Sequence, residues 1–269
     1  MRPLKRDNQY SENYKNYRNY KNSLINNFGN YCAYCELRIE DEADIEHILP
    51  KKQYQHDENK WDNLLLSCKT CNKKKNGYLR SSKWKLNDKE KESIPDKDEF
   101  LESFYFPDRD NTFLIFEYEE GRIKPNSQLQ SEEDVAKAQE TINLYQLDRV
   151  KSEASRRERW DIAHSFLNSY IQGYDSITNI VNQAQVDGFW SIWMTVFKDY
   201  KEVQEQLIAK FPGTNQERVT QKFPSEEVFS VCSSLAIGSD LILFWHRRDL
   251  RLNDNIGLFQ AHQKSAQVL

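Results

Sequence analysis

The sequence predicts an α+β protein: a small zinc-stabilised module of two strands and a helix, a β-hairpin, and a mainly α-helical C-terminal region. Three observations carry this. Two Cys-x-x-Cys pairs, Cys32/Cys35 and Cys68/Cys71, bracket short β-forming runs. TFLIFEY, then EEG, then RIKP has the turn residues and flanking apolar runs of a hairpin. From Ser131 onward, apolar residues recur every three to four positions, the period of a helix with one buried face.

Taken in order, Tyr10, Tyr14, Tyr17, Leu24 and Phe28 fall at helical spacing among Lys, Arg and Asn, with Gly29 as a stop, so one amphipathic helix is expected to lead into the first cysteine pair. Its tyrosines, alternating with Lys15, Arg18 and Lys21, suit base stacking and phosphate contact, but packing of that face on the metal-binding core is the stronger reading. Residues 38–39 and 44–46 are strand candidates around an acidic turn, and 63–66 with the second cysteine pair should begin a short helix running through Lys75. Residues 85–111, charged and broken by Pro95 and Pro107, read as a connecting segment. Residues 112–118 are expected to form the first strand of the hairpin. Ser131 and Asp134 make a capping box ahead of a helix with Val135, Ala138, Ile142 and Tyr145 on one face. Two long helical stretches follow, 148–184 with a break near Gly173, and 189–211 ended by Pro212-Gly213. The expected divisions are 1–85 for the metal module, 86–214 for a hairpin and helical, partner-binding region, and 215–269 for a tail.

The net charge of −4 argues against a nucleic-acid enzyme only until the chain is divided. Residues 1–85 hold 17 Lys+Arg against 11 Asp+Glu, and the remainder 21 against 31. Positive charge therefore lies where the cysteine pairs lie, and a basic patch collects phosphates locally within a Debye length of about 8–10 Å. No run approaches the roughly 20 apolar residues of a membrane span, and MRPLKRDNQY lacks the apolar stretch of a secretory signal, so a cytoplasmic protein without membrane contact is expected. In that compartment, paired Cys-x-x-Cys units are metal ligands before they are disulfides, with Cys232 left over as an ordinary thiol.

Cys32, Cys35, Cys68 and Cys71 are assigned to one structural zinc. The 32 residues between the pairs exceed the roughly 15–20 of a common zinc ribbon, and the excess holds the residues with reactive chemistry. His47 is the expected general base, since a neutral imidazole takes a proton from water near neutral pH. Glu46 and Asn72 supply hard oxygens for a catalytic magnesium or manganese ion, with Asp44 as a reserve carboxylate. Neighbours on a regular strand face opposite ways, so Glu46 and His47 share a site only where the strand bends or ends, as Pro50 suggests. Asn63 is expected to tie the intervening loop to backbone groups. Lys51, Lys52, Lys73, Lys74 and Lys75 flank the site and can engage phosphates. His56 receives no role, and His164 is expected to be a packing histidine.

At these residues the chain resembles the HNH endonucleases, with His47, Asn63 and Asn72 as an HNN variant and Glu46 where many members have Asp. The resemblance implies a ββα-metal fold, a base histidine, a loop-bracing asparagine and a final metal-ligating Asn. MRPLKR, YCAYCE, IEHILPK, WDNLLLSCKTCNKKK, FPDRDNTFLIFEY and GFWSIWMTVF with LIAKFPGT extend the similarity to the PtuB-type HNH proteins of Septu and retron-linked anti-phage operons. That subfamily implies an effector acting with a PtuA-type ATPase. From Ser239 to Leu258 the chain instead looks like the opening of a DNA photolyase, too short to carry flavin or photochemistry. The leading expectation is DNA hydrolysis leaving a 5′ phosphate and a 3′ hydroxyl. RNA (tRNA) cleavage by the same site, and a zinc module that only binds nucleic acid or a partner protein, are the alternatives.

Overall fold

The computed structural model describes residues 1–10, 14–39, 43–81, 84, 95–223, 241–242 and 267–268. Met1–Gln221 forms one compact unit and Lys222–Leu269 a second. The division between basic and acidic segments near residue 85 falls inside the first unit, where α2 (Lys69–Ser81) packs along α5 (Glu132–Tyr145).

The expected N-terminal helix is shorter than its tyrosine spacing implied. Only α1 (Lys21–Phe28) is α-helical; Asn8–Tyr10 and Tyr17–Tyr20 are single 3₁₀ turns. The side chain of Asn16 accepts from the Arg18 amide and starts a local turn, the competition that Asn-rich segments offer to a continuous helix. Gly29, at φ 76°, ends α1 as expected.

Of the two strand candidates, β1 (Asp44–His47) forms and residues 38–39 do not. A lone bridge between Tyr31 and Arg38 closes the first cysteine loop. The partner of β1 is β2 (Leu64–Ser67), antiparallel in the register Asp44↔Ser67 through His47↔Leu64. The strand Leu-Leu-Leu-Ser is buried along its whole length, so it shows no alternation and reads in sequence as the start of a helix. That helix, α2, begins only after Cys68.

Of the expected connecting segment 85–111, residues 85–94 lie outside the described residues, and 95–111 pack rather than connect. Within them α3 (Lys97–Glu102) carries Phe100, which with Phe104, Tyr105 and Phe106 is fully buried, and Trp84 lies 5.4 Å from both Phe100 and Phe104. A helical turn, α4 (Thr112–Ile115), occupies the first half of the expected hairpin strand, leaving β3 (Phe116–Glu119) paired with β4 (Arg122–Pro125). In α5 the Ser131 hydroxyl accepts from the Asp134 amide, and Ala138, Ile142 and Tyr145 are buried while Val135 is not. Next come α6 (Val150–Ile171) and α7 (Ile177–Asp187), separated at Gly173. The stretch 189–211 divides into α8 (Trp190–Val196) and α9 (Lys201–Lys210), and α10 (Gln216–Val219) follows. The second unit contributes β5 (Leu241–Ile242) and β6 (Gln267–Val268), paired in parallel.

The helical region is seated directly on the first cysteine loop. Glu36, buried, accepts from the amide and hydroxyl of Ser191 at 3.0 and 2.6 Å, and its carbonyl accepts from Phe189 N at 2.9 Å. Gly188 makes this approach possible: at φ 74°, a Cβ there would lie 2.5 Å from the Glu36 carbonyl oxygen. On the opposite side of the loop the Tyr34 ring stacks on Tyr145 with centroids 3.7 Å apart.

Candidate functional site

The four thiols lie together. The sulfurs of Cys32, Cys35, Cys68 and Cys71 are all within 4.8 Å of one another and all four residues are buried. Cys35 Sγ and Cys68 Sγ are 3.8 Å apart, the edge of a tetrahedron with zinc–sulfur bonds of about 2.3 Å. Cys71 N donates to Cys68 Sγ at 3.4 Å, which turns the second pair into the start of α2. Hydrogen bonds from Cys32 and its neighbours lower the pKa of the Cys68 thiol, while burial raises that of Cys32; a bound zinc would hold all four as thiolate, the ligating form. Arg149 Nη2 stands 3.8 Å from Cys71 Sγ and offsets part of that negative charge. The donor set fits a structural zinc.

His47 ends β1 with its side chain mostly buried. Its Nε2 is 3.0 Å from the Glu58 carbonyl, and its ring meets Tyr17 edge-on at 4.6 Å. A carbonyl only accepts, so Nε2 carries the proton and Nδ1 keeps the lone pair. Burial lowers the His47 pKa from 6.5 to about 4, with the nearby charges of Lys51 and Lys75 acting in the same direction, which leaves the ring neutral at physiological pH. Lys51 Nζ donates to the Tyr17 hydroxyl at 2.8 Å. Asn63, at the end of the same loop, accepts from Leu49 N at 2.7 Å and donates to the carbonyls of Leu49 and Asp57 at 3.2 and 2.9 Å. Its amide bridges the two ends of the segment that carries Glu58.

Glu46 points the other way, as strand alternation requires. It is 1% exposed, and its carboxylate accepts from Lys75 Nζ and from the Tyr34 hydroxyl. Lys75 also donates to the His47 carbonyl and, at 2.7 Å, to that of Ile48. Burial lowers the Lys75 pKa, against the attraction of Glu46. The expected magnesium pair of Glu46 and Asn72 is therefore not assembled. Asn72, partly exposed, donates instead to Asp44 Oδ2 at 3.2 Å. Glu46, His47 and Asn72 have separate partners, and the Glu46 oxygens are taken up by an ammonium and a phenol. These residues do not fit a shared hard cation in this arrangement.

Lys75 is corrected too: at 2% exposure it cannot reach a phosphate in solution. Lys52 and Lys73 are exposed, and Lys51 is partly so. His56 lies exposed in the loop, His164 rests on Trp160 with rings 5.0 Å apart, and Cys232 lies outside the described residues. Residues 239–258 lie outside them too, apart from Leu241 and Ile242.

The segment that brings both cysteine pairs, β1, β2 and most of α2 together is also the one that known proteins share. Residues 32–77 match the HNH endonuclease family. This HNH segment supports a nuclease role, with nucleic acid as substrate, and its four cysteines suit structural zinc. A separate stretch of 28 residues is 71% identical to the deoxyribodipyrimidine photo-lyase of a Synechococcus strain, covering 10% of this chain and 6% of that protein. The chain thus spans a small fraction of that relative's length. No helix among the described residues is long and apolar enough to cross a membrane.

Sequence reasoning missed two residues that hold the HNH segment in place, Tyr34 and Glu36; it put Tyr17 only on a general packing face and gave Lys75 a phosphate contact instead of the Glu46 carboxylate. Only Lys75 carried a usable signal, since it follows Asn72 by three positions and so shares a helix face with it, the face toward β1.

Proposed function

We propose that this chain is an HNH endonuclease that hydrolyses phosphodiester bonds of DNA, with His47 as general base. The match over residues 32–77 carries the reading. The tautomer of His47 supports it: with Nε2–H on the Glu58 carbonyl, Nδ1 can take a proton from water as the water oxygen attacks phosphorus and the 3′ oxygen leaves. Asn63 acts as a positioning residue, keeping the Glu58 segment in place, and Lys51 supplies a nearby positive charge. A divalent magnesium or manganese ion, when bound, would neutralise charge developing on the phosphate oxygens. The Glu46 oxygens are already taken up by Lys75 and Tyr34, so Asp44, beside Asn72, is the better carboxylate for such an ion.

The sequence blocks shared with PtuB-type proteins support a place in Septu-type anti-phage defence beside a PtuA-type ATPase. In this chain those blocks form the joints of the first unit: Arg2 donates to the Phe28 and Pro212 carbonyls at 2.7 and 2.6 Å, and Gly188 and Ser191 meet Glu36. The separation of Glu46 from His47 favours a second reading, a zinc module that binds nucleic acid without cutting it.

The deciding test is cleavage of a mixed DNA and RNA panel, with magnesium, manganese or chelator, with and without the ATPase. His47→Ala should keep its zinc and melting midpoint yet lose cleavage by about 10²- to 10⁴-fold. Retained cleavage removes His47 from the mechanism. A wild-type protein that holds the strands under every condition without cutting them establishes the second reading, and preference for RNA would replace DNA as substrate.

A further inference from the structure

Away from His47, a cavity of about 500 Å³ opens between the first turns of α2 and α6, on the outer side of the cysteine centre. Three cations line it: Lys74 from α2, Lys151 from α6, and Arg149 at the α6 N-cap. Thr70 and Ser155, the latter with its hydroxyl on the Lys151 carbonyl, also line it, and no carboxylate is among the described residues that line it. Arg149 is already committed, with Nη1 on the carbonyls of Tyr145 and Gln146 at 3.2 and 2.9 Å and Nη2 against Cys71. It serves as counter-charge to the thiolates, which with zinc would carry a net −2. Lys74 and Lys151 lie outside that balance and make no ion pair with any described residue.

The rest of the lining is apolar in an unusual way. Among the described residues, six large hydrophobic side chains are exposed, and two of them, Leu37 at 41% and Val150 at 84%, border this one cavity. Unpaired ammonium groups beside exposed aliphatic surface complement a ligand that joins a phosphate to a flat, weakly polar ring.

We propose that this cavity binds a nucleotide unit of a nucleic-acid strand, with the phosphate on Lys74 and Lys151 and the base against Leu37 and Val150. The endonuclease reading supplies the strand as ligand, and the cavity, whose lining includes neither the base histidine nor its partners, would give that substrate a second point of attachment.

The test is fluorescence anisotropy of the zinc-loaded full chain with a short labelled single strand over a salt series. Lys74→Glu/Lys151→Glu should weaken binding about tenfold or more and flatten the log–log salt slope by about 1. Lys198→Glu/Lys210→Glu makes the same charge change at exposed lysines outside the cavity and should shift affinity by less than about twofold. Zinc content and melting midpoint are checked for both. Leu37→Ser/Val150→Ser should weaken the strand without altering competition by inorganic phosphate. If the cavity variant behaves like its charge control, the proposal fails. Competition by ATP beyond that of inorganic phosphate supports a nucleotide unit, and equal competition refutes the base contact. A protein that never cleaves but still depends on Lys74 and Lys151 for binding would sink the endonuclease reading and leave this site standing.

Discussion

His47 and Glu46 are adjacent in the chain and opposite in circumstance, and each can be tested through its own proton or partner. The folded protein keeps His47 neutral down to about pH 4, whereas an unfolded chain takes up a proton near 6.5. Stability from this group is therefore complete above about pH 6.5 and is lost as the pH falls toward 4, with about 1.4 kcal/mol gone at pH 5.5. Denaturant midpoints of wild type and His47→Gln at pH 7.5 and 5.5 should show this loss in wild type only; equal slopes would refute the buried neutral ring. For Glu46, Lys75→Met strands a buried carboxylate on Tyr34 alone and should cost about 3–5 kcal/mol, while Glu46→Leu/Lys75→Met should recover most of it. A single variant as stable as wild type would show that the pair is open to solvent. Period-two alternation already warned that Glu46 and His47 face apart; what the sequence did not reveal was a lysine waiting on the far side, because one Lys among Lys73, Lys74 and Lys75 looks like its neighbours until α2 is placed.

Elements were legible where one periodicity dominated and obscure where burial was complete on both faces. The capping box of α5 and the stop at Gly29 rest on local chemistry and appear where the sequence puts them. β2 did not, since its leucines face core on both sides, and the aromatic packing at 95–111 was hidden because prolines and charges around Phe100 and Phe104 resemble a linker. The two cysteine pairs were the clearest signal, as thiol spacing is chemistry rather than propensity. They join elements that otherwise touch little, the loop after α1 and the start of α2. Cys68→Ser should drop zinc from one equivalent to near none. It should also lower the melting midpoint by about 10 °C, for a loss of roughly 4 kcal/mol from the metal's larger contribution to folding. Full zinc content in the variant would show that three thiols suffice; an unchanged midpoint without zinc would show that Tyr34, Tyr145 and Glu36 already hold the loop.

At the scale of the whole molecule, the helical region and the HNH segment share one core, so neither is expected to fold as an independent piece. Every buried hydrophobic residue of the described core, from Met1 to Phe211, lies before Gln221. Three ties fasten the start of the chain to its later parts: Met1 N donates to the Tyr118 hydroxyl at 2.6 Å, Arg6 pairs with Asp108 at 2.9 Å, and Asn215 N donates to the Pro3 carbonyl at 2.8 Å. These contacts link residues more than 100 positions apart, which no short-range pattern in sequence can reveal. They make a definite claim about truncation. A chain ended at Gln221 should keep the zinc content and melting midpoint of the full chain, because no described core residue is removed, whereas a chain ended at Gly188 should fail to fold. The second cut removes α8 and α9, with Trp190, Trp193 and Leu207, and leaves Glu36 buried without Ser191, an uncompensated carboxylate on the cysteine loop itself. A stable, zinc-loaded product from the shorter cut would mean that the HNH segment carries its own core and that the helices are an attachment rather than its support.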